Sequence, residues 1–225
     1  MTLKQTMAEL KKMGTAQNRK IYARHGAQEE MFGVSFANLR ALRKTIRTDQ
    51  DLAEALWDTG NVDARMLAVM VADPESFGTG DLDRWMRQID YYTLADVYVK
   101  EVVCRSSEVW SRLEKWTGMK HEWVGRAGWV ILANMAMDAS NELTSKQLES
   151  YLEWIEKDIH TSPNLTRDAM NSALISIGIR NAGLRRKATA AAKRIGAVDV
   201  DHGETGCKTP DAVAYIEKTW SRRKK

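Results

Sequence analysis

Apolar positions recur along most of the chain with the three-to-four-residue spacing of a helix. In FANLRALRKTIR (36–47), Leu39, Leu42 and Ile46 form one stripe, with Arg and Lys opposite. DLAEALWDT (51–59) repeats the pattern with Leu52, Ala55 and Leu56, and Asp49 or Asp51 can serve as its N-cap. VDARMLAVMVA (62–72) is apolar almost all round and stops at Asp73-Pro74. The next helix, 79–89, opens at Thr79 with acids nearby and carries Leu82, Trp85, Met86 and Ile89. Further helices are expected over 94–104, 107–116, 121–137, 144–159, 164–179 and 181–195, with Gly183 the weak point of the last, and helix ends near Pro74 and Pro163. Nowhere does a period-2 run stand between turn dipeptides, so the pattern is all-α.

Three of these helices share a phrase, an arginine just before a nearly all-apolar run: VDARMLA at Arg65, WVGRAGW at Arg126 and LTRDAM at Arg167. Arg126 and Arg167 lie 41 residues apart, inside the roughly 40–47-residue period of HEAT and armadillo repeats, while Arg65 to Arg126 is 61 and irregular. A helix apolar on every side needs neighbours on both, which stacked helix pairs provide. A globular bundle of similar helices is the competing picture.

The chain has 225 residues, enough for a core without disulfides or structural metal, and reads as one repeat domain whose residues 197–225 form a loop, a helix and a basic tail. Only 3 prolines interrupt it, and 2 cysteines make no disulfide framework. Its longest charge-free stretches, 127–137 and 169–179, are 11 residues each, too short for a bilayer; the N-terminus shows no signal peptide, and the expected location is the cytoplasm. Charge is unevenly spread. Residues 1–47 carry ten Lys/Arg against three acids, 166–225 thirteen against six, and 48–165 eleven against twenty-one. Basic ends around an acidic centre fit either a phosphate-binding surface or solvated helix faces.

Seven phrases, in order, resemble the AlkD-type DNA alkylation repair family, which is built from HEAT-like helical repeats. They are NRKIYARHG (18–26), MFGVS (31–35), ALWDTG (55–60), DARMLA (63–68), DYYTLAD (90–96), EWVGRAG (122–128) and AMNSAL (169–174), and the likeness spans residues 5–196. The resemblance implies an all-α, right-handed-type superhelical solenoid of HEAT-like helical pairs whose concave, basic face grips duplex DNA. It implies a DNA glycosylase that excises purines alkylated on a ring nitrogen. Such a base is already cationic and leaves as a neutral molecule without a general acid. A carboxylate and aromatic faces suffice to stabilise the oxocarbenium-like sugar and position water.

Carried over by position, the carboxylate is Asp96 and its aromatic partner Tyr92, four residues earlier on one helix face. The phosphate-facing arginine is Arg126 beside Trp123, and the N-terminal aromatic is Tyr22. Arg65 and Arg167 are further candidates for DNA contact. Two departures stand out: tyrosine replaces the family's tryptophan at Tyr92, and the later tryptophan falls on Ser172, which offers no aromatic face. No cofactor and no metal is implied. The expected partner is duplex DNA, alkylated or structurally distorted, with no membrane and no obligate protein partner.

The residues also admit plainer roles. Asp96 could be a surface charge or a partner for Arg126, the arginines could make structural ion pairs, and Tyr91, Tyr92, Tyr98 and the 8 tryptophans could be packing. Asp199, Asp201, His202, Glu204 and Cys207 have metal-ligating atoms but no ligand spacing; a glycine-turned loop ahead of a helix starting at Thr209-Pro210-Asp211 is the better reading. The end, SRRKK, is either a solvated terminus or a phosphate-touching tail, and His25 beside Arg24 reads as a surface residue. Two function classes therefore stand beside the glycosylase: a non-catalytic binder of damaged or branched DNA, and a helical-repeat scaffold for proteins.

Overall fold

Short polar side chains set most of the helix starts. Thr2 and Gln5 form a reciprocal capping box at α1 (Leu3–Met13), and Thr15 and Ser35 cap α2 (Ala16–Arg24) and α3 (Phe36–Ile46). Asp49 caps α4 (Gln50–Trp57) and Asn61 caps α5 (Val62–Val71). Then come α6 (Thr79–Arg87), α7 (Tyr92–Glu101), α8 (Val109–Thr117), α9 (Glu122–Met137) and α10 (Ser145–Asp158). The last three are α11 (Asn164–Arg180), α12 (Ala182–Ile195) and α13 (Ala212–Arg223). This computed structural model describes residues 1–28, 30–138 and 140–223, and among them no strand occurs. The basic tail's Lys224 and Lys225 lie outside the described residues.

Two details differ from the sequence pattern. Helices α1 and α2 lie ahead of the first expected boundary; α2 buries no residue at all, so it has no apolar stripe to read. Helix α7 begins two residues early, at Tyr92, and gives way after Glu101 to a 3-10 turn at Val103–Arg105.

The chain forms two compact units, Met1–Val109 with Gly203–Thr205, and Trp110–His202 with Gly206–Lys225. In the first, α5 is buried along its whole length among α3, α4 and α7. Trp57 and Trp85 stack at 4.0 Å, with Phe77 edge-on to Trp85 at 4.9 Å. In the second, α11 packs against α9, α12 and α13. Gly128 is required for close approach there: a methyl group on it would sit inside the backbone of Trp116 and Thr117 on α8. Trp129, Tyr151 and Trp154 fill the space between α9 and α10.

Candidate nucleic-acid interface

In the first unit the site begins with a loop and one carboxylate. Asp63, second residue of the buried helix α5, accepts from the backbone N–H groups of Phe32 (2.6 Å), Gly33 (2.9 Å) and Val34 (2.7 Å). Burial pushes the Asp63 carboxyl above its ordinary range, and the three N–H donors offset only part of that rise. Gly33 holds φ +80° with its Cα against the Thr15 carbonyl and the Arg19 amide, so no side chain fits and the loop lies flat on α2. Its carbonyl accepts from the Thr15 N–H and the Asn18 amide, both at 3.0 Å.

Tyr22, half-buried on α2, donates its hydroxyl to the Val34 carbonyl at 2.5 Å. Burial, and then the Asp63 charge, raise its phenol pKa. One turn on, the Nδ1 of His25 shares a short hydrogen bond with the hydroxyl of Tyr92. His25 is thus half-buried and bonded, contrary to the surface position read from the sequence, because the end of α2 meets the start of α7. Tyr91, 3% exposed, meets Tyr92 edge-on at 5.8 Å, and burial pushes its phenol pKa up to about 12. Asp96 follows Tyr92 by one turn of α7, and both are half-buried.

The arginine in this unit faces inward. The Nε of Arg65 donates to the Trp57 carbonyl and an Nη to the Gln88 carbonyl, both at 3.2 Å, while its guanidinium lies over the Trp57 ring at 5.2 Å.

The second unit carries the remaining candidates on α9 and α11. Arg126, its side chain 6% exposed, donates to the Leu165 carbonyl (3.0 Å) and to the Asp168 carboxylate (2.8 Å). Glu122 completes the clamp: its carboxylate accepts from the Leu165 N–H at 2.7 Å and its carbonyl from the Thr166 hydroxyl at 3.0 Å. Trp123, beside it, is half-buried. Arg167 donates to the carbonyls of Asp199 (2.7 Å) and Ser162 (3.1 Å). Ser172 is exposed and one turn past Asp168, on the same face of α11. The Asp199–Asp211 loop is tied down by its backbone: Asp201 exchanges two hydrogen bonds with the Asn164 amide. His202 bonds the Thr209 hydroxyl at 3.0 Å.

The sequence pattern singled out none of Asp63, Glu122 and Asp168, and it placed His25 at the surface. Asp63 left one signal, a lone acid inside an otherwise apolar helix.

The family model for the DNA alkylation repair enzyme matches residues 6–216. The chain belongs to that family. This DNA alkylation repair family member is 26% identical over 226 residues to the uncharacterized protein Lin0241 of Listeria innocua serovar 6a, covering 98% of both chains. It is also 26% identical over 228 residues to the uncharacterized protein Lmo0209 of Listeria monocytogenes serovar 1/2a, covering 99% of both. A solved structure matches with a TM-score of 0.91 at 32% identity over 99% of this chain and 95% of that one. It is described as "a new family of proteins related to the HEAT-like repeat DNA glycosylases with affinity for branched DNA structures". The fold of this family member is thus the all-helical, HEAT-like repeat solenoid. Among its described residues no helix is long and apolar enough to cross a membrane.

Proposed function

We propose that this protein is a DNA-binding member of the alkylation repair family that holds duplex DNA where it is branched or distorted, in the cytoplasm. The observation that carries this reading is Ser172: it is exposed on α11, one turn past Asp168, where the resemblance puts an aromatic wall for the lesion sugar. A solvated hydroxyl there is suited to DNA contact and not to enclosing an oxocarbenium ion. The solved relative's affinity for branched DNA supports the same choice. Tyr22, Tyr92 and Trp123, all half-buried, supply aromatic faces for sugar or base. Arg65, Arg126 and Arg167 tie their helices to neighbouring segments, since each donates to carbonyls within the protein.

A second reading, glycosylase action, is favoured by Asp96, kept one turn after Tyr92 on a partly open helix face. In that reading the N-glycosidic bond of a cationic alkylpurine breaks and its electron pair returns to the base, which leaves neutral. Water adds to the sugar carbon and gives up its proton, while the Asp96 carboxylate stabilises the developing positive charge. Such an interaction is commonly worth about 3–4 kcal/mol. Release of alkylated base from methylated duplex, measured for the wild type and for Asp96→Asn, separates the two. The binding reading expects no release above background from either. Release that Asp96→Asn abolishes, with DNA affinity unchanged, would establish the enzyme.

A further inference from the structure

A cavity of about 410 Å³ in the first unit is lined by five cationic side chains: Arg40, Arg43, Lys44 and Arg47 of α3 and its end, and Arg105 of the 3-10 turn after α7. Positions 40, 43, 44 and 47 fall on one side of α3, about a third of a turn round from the buried Leu39 and Leu42. The floor is Met70 and Ala72 at the end of α5, with Thr48 at the rim.

Very little negative charge meets this cluster. Glu101 lies 3.2 Å from Arg43 and 3.6 Å from Arg105, so one carboxylate is shared by two arginines. Among the described residues no carboxylate pairs with Arg40, Lys44 or Arg47. Asp49 and Asp73, the nearest acids in sequence, are turned to capping Leu52 and Glu75. The ends of α3, α5 and α7 each contribute roughly half a negative charge. Dipole compensation therefore accounts for part of the cluster and leaves about two to three positive charges unbalanced among the described residues.

Two further observations suit a ligand. Arg47 adopts φ +66°, ψ −138°, the only non-glycine residue with positive φ among the described residues. A glycine would take that conformation freely, so the arginine is kept there at a conformational cost. The Arg40 guanidinium stands over the Phe36 ring at 5.9 Å, which limits how freely it moves.

The cavity is also separate from the proposed site on α7. Glu101 is five residues after Asp96, so it projects about 140° around the helix from it. The arginines anchored on Glu101 therefore stand on the other side of α7 from Tyr92 and Asp96.

We infer that this cavity is a second phosphate-binding site, which takes the backbone of another arm of the same branched DNA. The inference deepens the DNA-binding reading above and rests on it. On this inference a linear duplex seated on the α7 face leaves the cavity empty, and a second arm of a junction fills it.

The test is equilibrium binding by the full chain to a four-way junction and to a linear duplex of equal length, for the wild type and for Lys44→Glu/Arg47→Glu. Both side chains are exposed, and thermal melting checks that the variant folds; Lys44→Gln/Arg47→Gln repeats the measurement without charge reversal. The expected result is a tenfold or greater loss on the junction with less than a threefold change on the duplex. The junction salt slope should flatten by up to about 0.9 for each phosphate that the variant no longer neutralises. Inorganic tripolyphosphate should compete for junction binding by the wild type more strongly than for duplex binding. Equal losses on both substrates would place these residues in one shared duplex footprint and overturn the inference. So would no loss on either. A wild type that binds neither DNA would remove the DNA-binding reading itself, and this inference with it.

Discussion

The two units carry their shares of the candidate interface by different means. In the first, the polar anchor is a single buried carboxylate, Asp63, that fixes a loop through three backbone donors. Tyr22 bonds that loop and His25 bonds Tyr92, so the aromatic groups Tyr22 of α2 and Tyr92 of α7 are oriented by the protein itself. In the second, the anchor is an ion pair, Arg126 with Asp168, clamped by Glu122, and the face beyond it ends in the small, exposed Ser172. The first unit presents half-buried aromatic rings at Tyr22 and Tyr92; the second presents a small exposed hydroxyl at Ser172. On the proposed binding reading, the difference is between side chains that present aromatic faces to DNA and a position that offers no enclosure for a reacting sugar.

The sharpest way to break this comparison is to remove the two anchors. Asp63→Ala leaves three N–H donors without their acceptor, two of them in fully buried bonds. At about 1–3 kcal/mol for each orphaned group, a loss of about 3–5 kcal/mol is expected in urea unfolding. Arg126→Met should lose less, about 2–3 kcal/mol. Breaking a fully buried pair costs more, but the Asp168 side chain is 22% exposed, so water can solvate it once it is alone. A larger loss for Arg126→Met than for Asp63→Ala would reverse the ranking of the two anchors.

Much of this was legible in the sequence, and the boundary is physical. Helices α3 to α12 announce themselves through apolar periodicity, α13 through the Thr209-Pro210-Asp211 start ahead of it, and α5 and α11 through apolar runs that demand neighbours on every side. Helix α2 buries nothing, so no periodicity marks it. The arginine phrases pointed to three special positions, but sequence cannot say which way a guanidinium turns. At Arg65 and Arg126 it turns toward carbonyls and a carboxylate brought from 8 to 42 residues away. The roles of Asp63 and His25 were hidden for the same reason: their partners belong to other elements, at separations of 29 to 67 residues.

A pH series sharpens the first unit's side. The Tyr91 phenol sits near pKa 12 when folded, against an ordinary value of 10.0, chiefly because it is buried. Its contribution is fully present below pH 10 and disappears as pH rises toward 12, because the unfolded chain ionises first. The full shift corresponds to about 2–3 kcal/mol. Between pH 10 and 12 the wild type should therefore lose that much more stability than Tyr91→Phe, as read by urea midpoints at each pH. Parallel curves would mean the ring is not held as the structure has it.

The smallest expected effect lies on the other side of the comparison. Ser172→Trp places a ring on an exposed face of α11 and should change stability by no more than about 0.5 kcal/mol. Its informative readout is base release. If the missing wall is all that separates this chain from chemistry, the variant should release alkylated base where the wild type does not, and Asp96→Asn in that background should stop it.

The central claim, that this family member recognises DNA by its branching, is tested most directly by one measurement. The purified wild-type chain is titrated with a four-way junction and with a linear duplex of equal length and composition, side by side at a single moderate salt concentration. The junction is expected to bind at least tenfold more tightly, with no base released during the titration. Equal affinity for the two, or binding to neither, would contradict it.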